Sequence, residues 1–182
     1  MIIRDATEGD IKEILDIYSY YIKHTAITFE TEIPSMEVFC QRFHLISSVY
    51  PWFVAFSDND LVGYSYACSH RERQAFRWSV DCAVYVHKDF IGQGIGTQLY
   101  QRLMPEIKNL GYYNAFALIA LPNEKSVALH ESFGFEMVGI TKSAGYKLGM
   151  WHDVGYWQLK LRQYDLNPEE PAIYKSNRAA SG

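Results

Sequence analysis

Two groups of residues have types and spacing suited to chemistry. The first is Gly92-Gln93-Gly94-Ile95-Gly96-Thr97. Glycines spaced this way let successive backbone N–H groups turn toward one point. A helix beginning there adds its unpaired first donors and the positive end of its dipole. Such a loop cradles an anion, most naturally a phosphate. The second group is Asp81, one strand-length upstream, a carboxylate within reach of whatever the phosphates carry and suited to take a proton.

The elements that must position these residues follow from periodicity. Val80, Cys82, Val84 and Val86 alternate with Asp81, Ala83 and Tyr85, which is the period of a strand. Asp81 and Cys82 therefore point apart, and Cys82 reads as a buried thiol rather than an acyl carrier. Ile95, Leu99, Leu103 and Ile107 share one helical face, and Pro105 predicts a kink or break in that helix. Upstream, Ile2–Arg4 reads as a strand. Thr7 with Asp10 resembles a capping box for a helix that buries Ile11, Ile14, Leu15, Tyr18 and Ile22. Ser35 caps a second helix running to about Ser48. Residues 51–56 and 61–68 read as a hairpin across the turn residues 57–60, and 69–76 as an Arg-bearing loop. Downstream, 114–120 reads as a strand, 124–133 as a short helix ended by Gly134, 135–140 as a strand, 142–147 as a loop, and 153–161 as a last strand. Strands that pair as hairpins among helices predict an α/β (α+β) domain with a mixed, largely antiparallel central sheet flanked by helices. Residues 1–163 form that single domain. Residues 164–182, polar and without periodicity, read as a C-terminal tail or an arm against a partner subunit.

Composition narrows the function classes. A net charge of −4 and a pI near 5.8 argue against a nucleic-acid partner. No apolar run is long enough for a membrane span, and Arg4 and Asp5 interrupt the N-terminus, so neither a membrane partner nor a signal peptide is expected. Cys40, Cys68 and Cys82 are odd in number and have no zinc spacing, which suits reduced thiols in a cytoplasmic protein without a metal. His152-Asp153 has no third ligand at a usual spacing. For the anion, a Walker loop fails because no lysine stands between Gly96 and Thr97. A dinucleotide fingerprint is weak because Thr97 stands at the third glycine position and the next strand ends in Leu121-Pro122-Asn123. Coenzyme A, whose pyrophosphate also needs backbone donors, remains.

Ile91-Gly92-Gln93-Gly94-Ile95-Gly96 resembles the acyl-coenzyme A motif of the GNAT superfamily of N-acetyltransferases. Within it the chain is similar to the phosphinothricin acetyltransferase branch over roughly residues 2–161. The resemblance rests on Arg73-Gln74-Ala75-Phe76, Val84-Tyr85-Val86, Leu121-Pro122-Asn123, Leu129-His130-Glu131 and the segment from Gly145 to Gly155. It implies a homodimeric enzyme that acetylates the α-amino group of a small amino-acid-like amine, such as phosphinothricin or methionine sulfoximine or sulfone, from acetyl-CoA. It implies a pantetheine arm along Val84, Tyr85 and Val86, a pyrophosphate on Gly92, Gln93, Gly94, Ile95, Gly96 and Thr97, and a bond from Asn123. Asp81 would be the base, and His130 the acid for the thiolate or a residue lining the substrate site. Arg73, Phe76, Phe29 and Val154 would shape the amine site. Two positions depart from the pattern: Ile91 replaces a polar first residue, and Asp81 replaces the usual Glu, one methylene longer. A non-catalytic acyl-CoA-binding or sensing domain and an acetyltransferase of protein amines are the rival readings.

Overall fold

The strand and helix periods close into one sheet with a helical layer on each face. The computed structural model describes residues 1–176. Its strands are β1 (Ile2–Asp5), β2 (Trp52–Ser57), β3 (Asp60–Ser69), β4 (Ser79–Val86), β5 (Asn114–Leu121), β6 (Glu136–Lys147) and β7 (Met150–Lys160). Its helices are α1 (Ile11–His24), α2 (Met36–Ser47), α3 (Ile95–Asn109) and α4 (Glu124–Ser132). The sheet order is β1-β2-β3-β4-β5-β7-β6, and every adjacent pair is antiparallel except β4–β5. None of the described helices is long and apolar enough to cross a membrane.

Alternation along the strands sends side chains into two cores. Phe53, Ala55, Val80, Cys82 and Ala115 pack with Leu99, Tyr100, Leu103 and Ile107 of α3. Trp52, Val54 and Tyr64 pack with Ile14, Tyr18 and Ile22 of α1 and Phe39 and Phe43 of α2, with Tyr85 against them. Cys82 is thus buried on the side away from Asp81, as strand alternation requires. The β2–β3 turn holds Asp58 and Asn59 at φ of 50° and 78°, the left-handed conformation that Asx residues tolerate.

Three local expectations change. Helix α3 runs unbroken through Pro105, because its buried face continues on both sides, from Leu103 and Met104 to Ile107. The polar stretch 142–147 is the end of β6, held by β7 through Gly145↔His152, Tyr146↔Trp151 and Lys147↔Met150 across an irregular register. It is an edge strand, so its sequence lacks the apolar rows of a central one. The described part of the 164–182 tail lies on its own domain. Trp78 Nε1 donates to the Glu169 carbonyl at 2.8 Å, and buried Tyr174 packs on Phe53 and donates to Asp5 at 2.7 Å. Residues 177–182 of that tail lie outside the described residues.

Candidate active site

Strands β4 and β5 are paired only at Ser79↔Asn114, Val80↔Ala115 and Asp81↔Phe116. Beyond Asp81 they part, while β4 keeps its pairing with β3 to Val86 and β5 keeps its pairing with β7 to Leu121. The His87 N–H bonds the Val62 carbonyl at 2.8 Å. By antiparallel alternation the backbone groups of Asp81, Ala83 and Tyr85 also face β3, and those of Cys82, Val84 and Val86 face the opening wedge. An extended chain laid in the wedge can pair with them as an added strand would. The Val86 carbonyl already accepts from the Tyr21 hydroxyl.

The wedge leads into a cleft of about 580 Å³ lined by Val84, Val86, Gly92, Gly94, Ile95, Gly96, Thr97 and Asn123 among others. Gly92 and Gly94 have φ of 87° and 78°, a conformation strained for any residue with a side chain. Gly94 caps α3 in that conformation, so the N–H groups of Ile95, Gly96 and Thr97 lack carbonyl partners among the described residues and face the cleft. The Asn123 side chain accepts from Ser126 N–H at 3.2 Å and caps α4, which leaves its amide NH₂ to donate. Of the expected cofactor residues, Tyr85 and Gln93 do not line this cleft; Tyr85 packs on Tyr18 and Tyr21, and the Gln93 side chain bonds the Asp89 carbonyl. Ile91 lines the cleft with an apolar side chain. Tyr21, Lys125 and Ser126 also line it, and the sequence reading did not single them out.

Asp81 sits at the apex where the strands part. Its Oδ1 lies 2.6 Å from His70 Nδ1. An ionised carboxylate only accepts, so the shared proton belongs to Nδ1 and the ring's other nitrogen, Nε2, carries the lone pair. No described residue bonds Nε2. The His70 ring stacks on Phe116 at 4.1 Å and 13°, and meets Phe76 edge-on at 6.0 Å. Burial pushes the Asp81 carboxyl above its ordinary range, while the His70 contact and the nearby Arg71 charge pull it down. Sequence reading missed His70. The signal for it is register: Cys68 stands opposite Asp81, and His70 follows two residues on, on the same face.

The expected amine-site residues border this face. Pairings Asp81↔Phe116 and Ala120↔Val154 put Asp81, Phe116, Leu118, Ala120 and Val154 on one side of the sheet. Val154 is buried there, and Phe76 packs on His70. Phe29 lies against Gly145 and faces His152 at 6.3 Å. Its loop is tied down from both sides, by the Tyr18 and Thr28 hydroxyls at 2.7 Å and by Lys147 Nζ donating to the Thr28 carbonyl at 2.6 Å. Arg73 is exposed, and its guanidinium has no partner among the described residues.

His130 stands apart from Asp81. It is 4% exposed and packs in the α3-side core against Phe135. Its Nδ1 donates to the Ser126 carbonyl at 2.7 Å, and its Nε2 accepts from the Tyr100 hydroxyl at 2.9 Å. Burial lowers its pKa. Both nitrogens are committed. No group of three or more metal-ligating side chains occurs among the described residues.

Comparison with known proteins agrees with this geometry. The model of the acetyltransferase (GNAT) domain family matches residues 3–155. A phosphinothricin N-acetyltransferase of Streptomyces viridochromogenes is 36% identical over 90% of this chain and 88% of its own. An L-methionine sulfoximine/L-methionine sulfone acetyltransferase of Salmonella typhimurium is 30% identical over 90% of this chain and 96% of its own. The crystal structure of a GNAT superfamily phosphinothricin acetyltransferase from Sinorhizobium meliloti, in complex with acetyl-CoA, superposes with a TM-score of 0.90. It is 32% identical, over 96% of this chain and 98% of that one.

Proposed function

Because the chain belongs to the GNAT acetyltransferase family, we propose that it transfers the acetyl group of acetyl-CoA to the α-amino group of a small amino-acid-like amine of the phosphinothricin or methionine sulfoximine/sulfone type. The observation that carries this reading is the continuity of three parts: an anion cradle, a wedge with unpaired strand backbone, and a carboxylate at its apex. Gly92 to Thr97 hold the pyrophosphate through N–H groups that need no side chain, so Ile91 leaves the cradle intact. Val84 and Val86 pair with the pantetheine arm, and the Asn123 amide donates to it. The thioester then lies near Asp81, with a backbone N–H of the wedge facing its oxygen.

Acetyl transfer needs a neutral amine, because an ammonium nitrogen has no lone pair. Asp81 supplies the negative charge that draws off the proton, and the wedge N–H stabilises the tetrahedral oxyanion. Arg73, exposed at the loop beside Phe76, suits the acidic group of such a substrate, since a guanidinium matches a carboxylate or phosphinate. The loop that carries Phe29 is pinned to β6, which favours a closed amine pocket over the open groove a protein substrate needs. A homodimer formed through the β6–β7 hairpin suits its exposed Met137, Val138, Leu148, Met150 and Trp151. The free thiols of Cys40, Cys68 and Cys82 suit the cytoplasm.

The test is thiol release from acetyl-CoA by the purified protein with a panel of amines. Turnover with methionine sulfone, methionine sulfoximine or phosphinothricin well above that with short peptides is the expected result. Tight acetyl-CoA binding without release for any amine overturns the reading in favour of a sensor.

A further inference from the structure

We propose that His70, through Nε2, is the group that takes the proton from the substrate ammonium, and that Asp81 is the positioning residue that holds and charges it. The proposal rests on the acetyltransferase reading above. Its basis is geometric. Asp81 is a short carboxylate set at the last position where β4 pairs with β5. The imidazole lies 2.6 Å from its Oδ1, so one of the two carboxylate oxygens is engaged by the ring. The ring cannot swing freely, because it lies flat on Phe116, the β5 partner of Asp81, with Phe76 against it. Asp81, Phe116 and His70 thus form one fixed group at the point where the strands open. The His70 side chain is 11% exposed against 27% for Asp81, so the pair stands partly out of water yet remains reachable. The carboxylate fixes the Nδ1–H tautomer, and Nε2 is left with a lone pair that no described residue uses.

The proton count closes. His70 Nε2 takes one proton from R–NH₃⁺, giving R–NH₂ and an imidazolium that the Asp81 carboxylate stabilises. The amine lone pair forms the C–N bond at the thioester carbonyl. As the tetrahedral intermediate collapses, the C–S bond breaks and the electron pair leaves on sulfur. The second nitrogen proton ends on that thiolate, and the imidazolium proton returns to solvent. The charged and titratable groups around the pair are Arg71 on its own loop, Cys68 opposite Asp81 on β3, and Cys82 next to Asp81 on β4. Burial, with the Asp81 charge, pushes the Cys68 thiol up to about 12, and Cys82 is also raised, so both are neutral and Arg71 is the only permanent charge among them.

The experiment compares wild type, His70→Gln and Asp81→Asn with one amine across pH, reading thiol release, with acetyl-CoA affinity measured separately. Wild-type turnover comes first; its absence with every amine overturns the acetyltransferase reading itself. With turnover present, His70→Gln is expected to lower kcat by about 10²-fold with acetyl-CoA affinity unchanged. In Asp81→Asn an acid limb of kcat/KM is expected to persist, because the imidazole remains. Added imidazole is expected to restore part of the turnover of His70→Ala, in step with its neutral fraction. His70→Gln turning over near the wild-type rate overturns the proposal, as does an acid limb that vanishes in Asp81→Asn; either result makes the carboxylate the direct base.

Discussion

His70 and His130 lie on opposite faces of the same sheet and share a tautomer. In each, Nδ1–H donates to an oxygen, the Asp81 carboxylate at 2.6 Å in one case and the Ser126 carbonyl at 2.7 Å in the other. They differ at Nε2. In His130 that nitrogen accepts the Tyr100 hydroxyl at 2.9 Å, inside a core of Phe133 and Phe135. In His70 no described residue takes it. The first ring closes a hydrogen-bonded chain from α3 to α4; the second ends one. Of the two rings, only His70 has a nitrogen that no described residue uses, and motif position alone does not reveal that.

The largest effect that sharpens this comparison is the coupling of the pair. His70→Gln and Asp81→Asn are each expected to cost about 10²-fold or more in kcat, and the double variant little more than the worse single one, since groups acting as a unit are non-additive. Steady-state kinetics at saturating acetyl-CoA decides it, and fully multiplicative losses would separate the two roles.

On the other face the effect is on stability. His130→Ala leaves the buried Tyr100 hydroxyl without its partner and is expected to cost on the order of 1–3 kcal/mol in urea unfolding, while His70→Gln, whose amide can still donate to the Asp81 carboxylate, is expected to cost less. The pH dependence follows with a definite sign. Burial holds His130 below the ordinary imidazole range, so the unfolded chain binds the proton more readily. The contribution is fully present above the ordinary value of about 6.5 and is lost as pH falls toward the folded value. Unfolding midpoints measured between neutral and mildly acid pH should therefore fall less steeply in His130→Gln than in wild type.

Smaller effects belong to the residues beside the two sites. A Cβ on Gly145 would come within 2.2 Å of Phe29, so Gly145→Ala displaces that ring. The expected result is a KM for the amine raised roughly tenfold, about 1.4 kcal/mol, with the KM for acetyl-CoA unchanged. Asn123→Ala removes the cap of α4 and is expected to cost about 1 kcal/mol of stability, with weaker acetyl-CoA binding seen by calorimetry.

The same contrast explains what was legible in the sequence. The cradle is local: Gly92 to Thr97 are contiguous, and their backbone conformation follows from residue type. The two-row reading of β4 is also local, so Asp81 and Cys82 were separable before any fold was known. His70 was not legible, because its partner lies across the β3–β4 hairpin and its stack across to β5. The end of β6 was not legible either, because an edge strand carrying Lys142, Ser143 and Gly145 shows no apolar alternation. His130 was legible as a position; its role depended on Tyr100, thirty residues away in sequence.

The most direct test makes the same replacement at both sites. His70→Phe keeps a ring to stack on Phe116, and His130→Phe keeps a ring in the core; each removes both nitrogens. Turnover and urea unfolding would be measured on the two proteins side by side. The account predicts that His70→Phe loses about 10²-fold in kcat while His130→Phe keeps kcat within about threefold, although both are destabilised because each leaves a buried or half-buried polar group without its partner. A His130→Phe protein that folds as well as wild type and has lost turnover, beside an active His70→Phe, would contradict it.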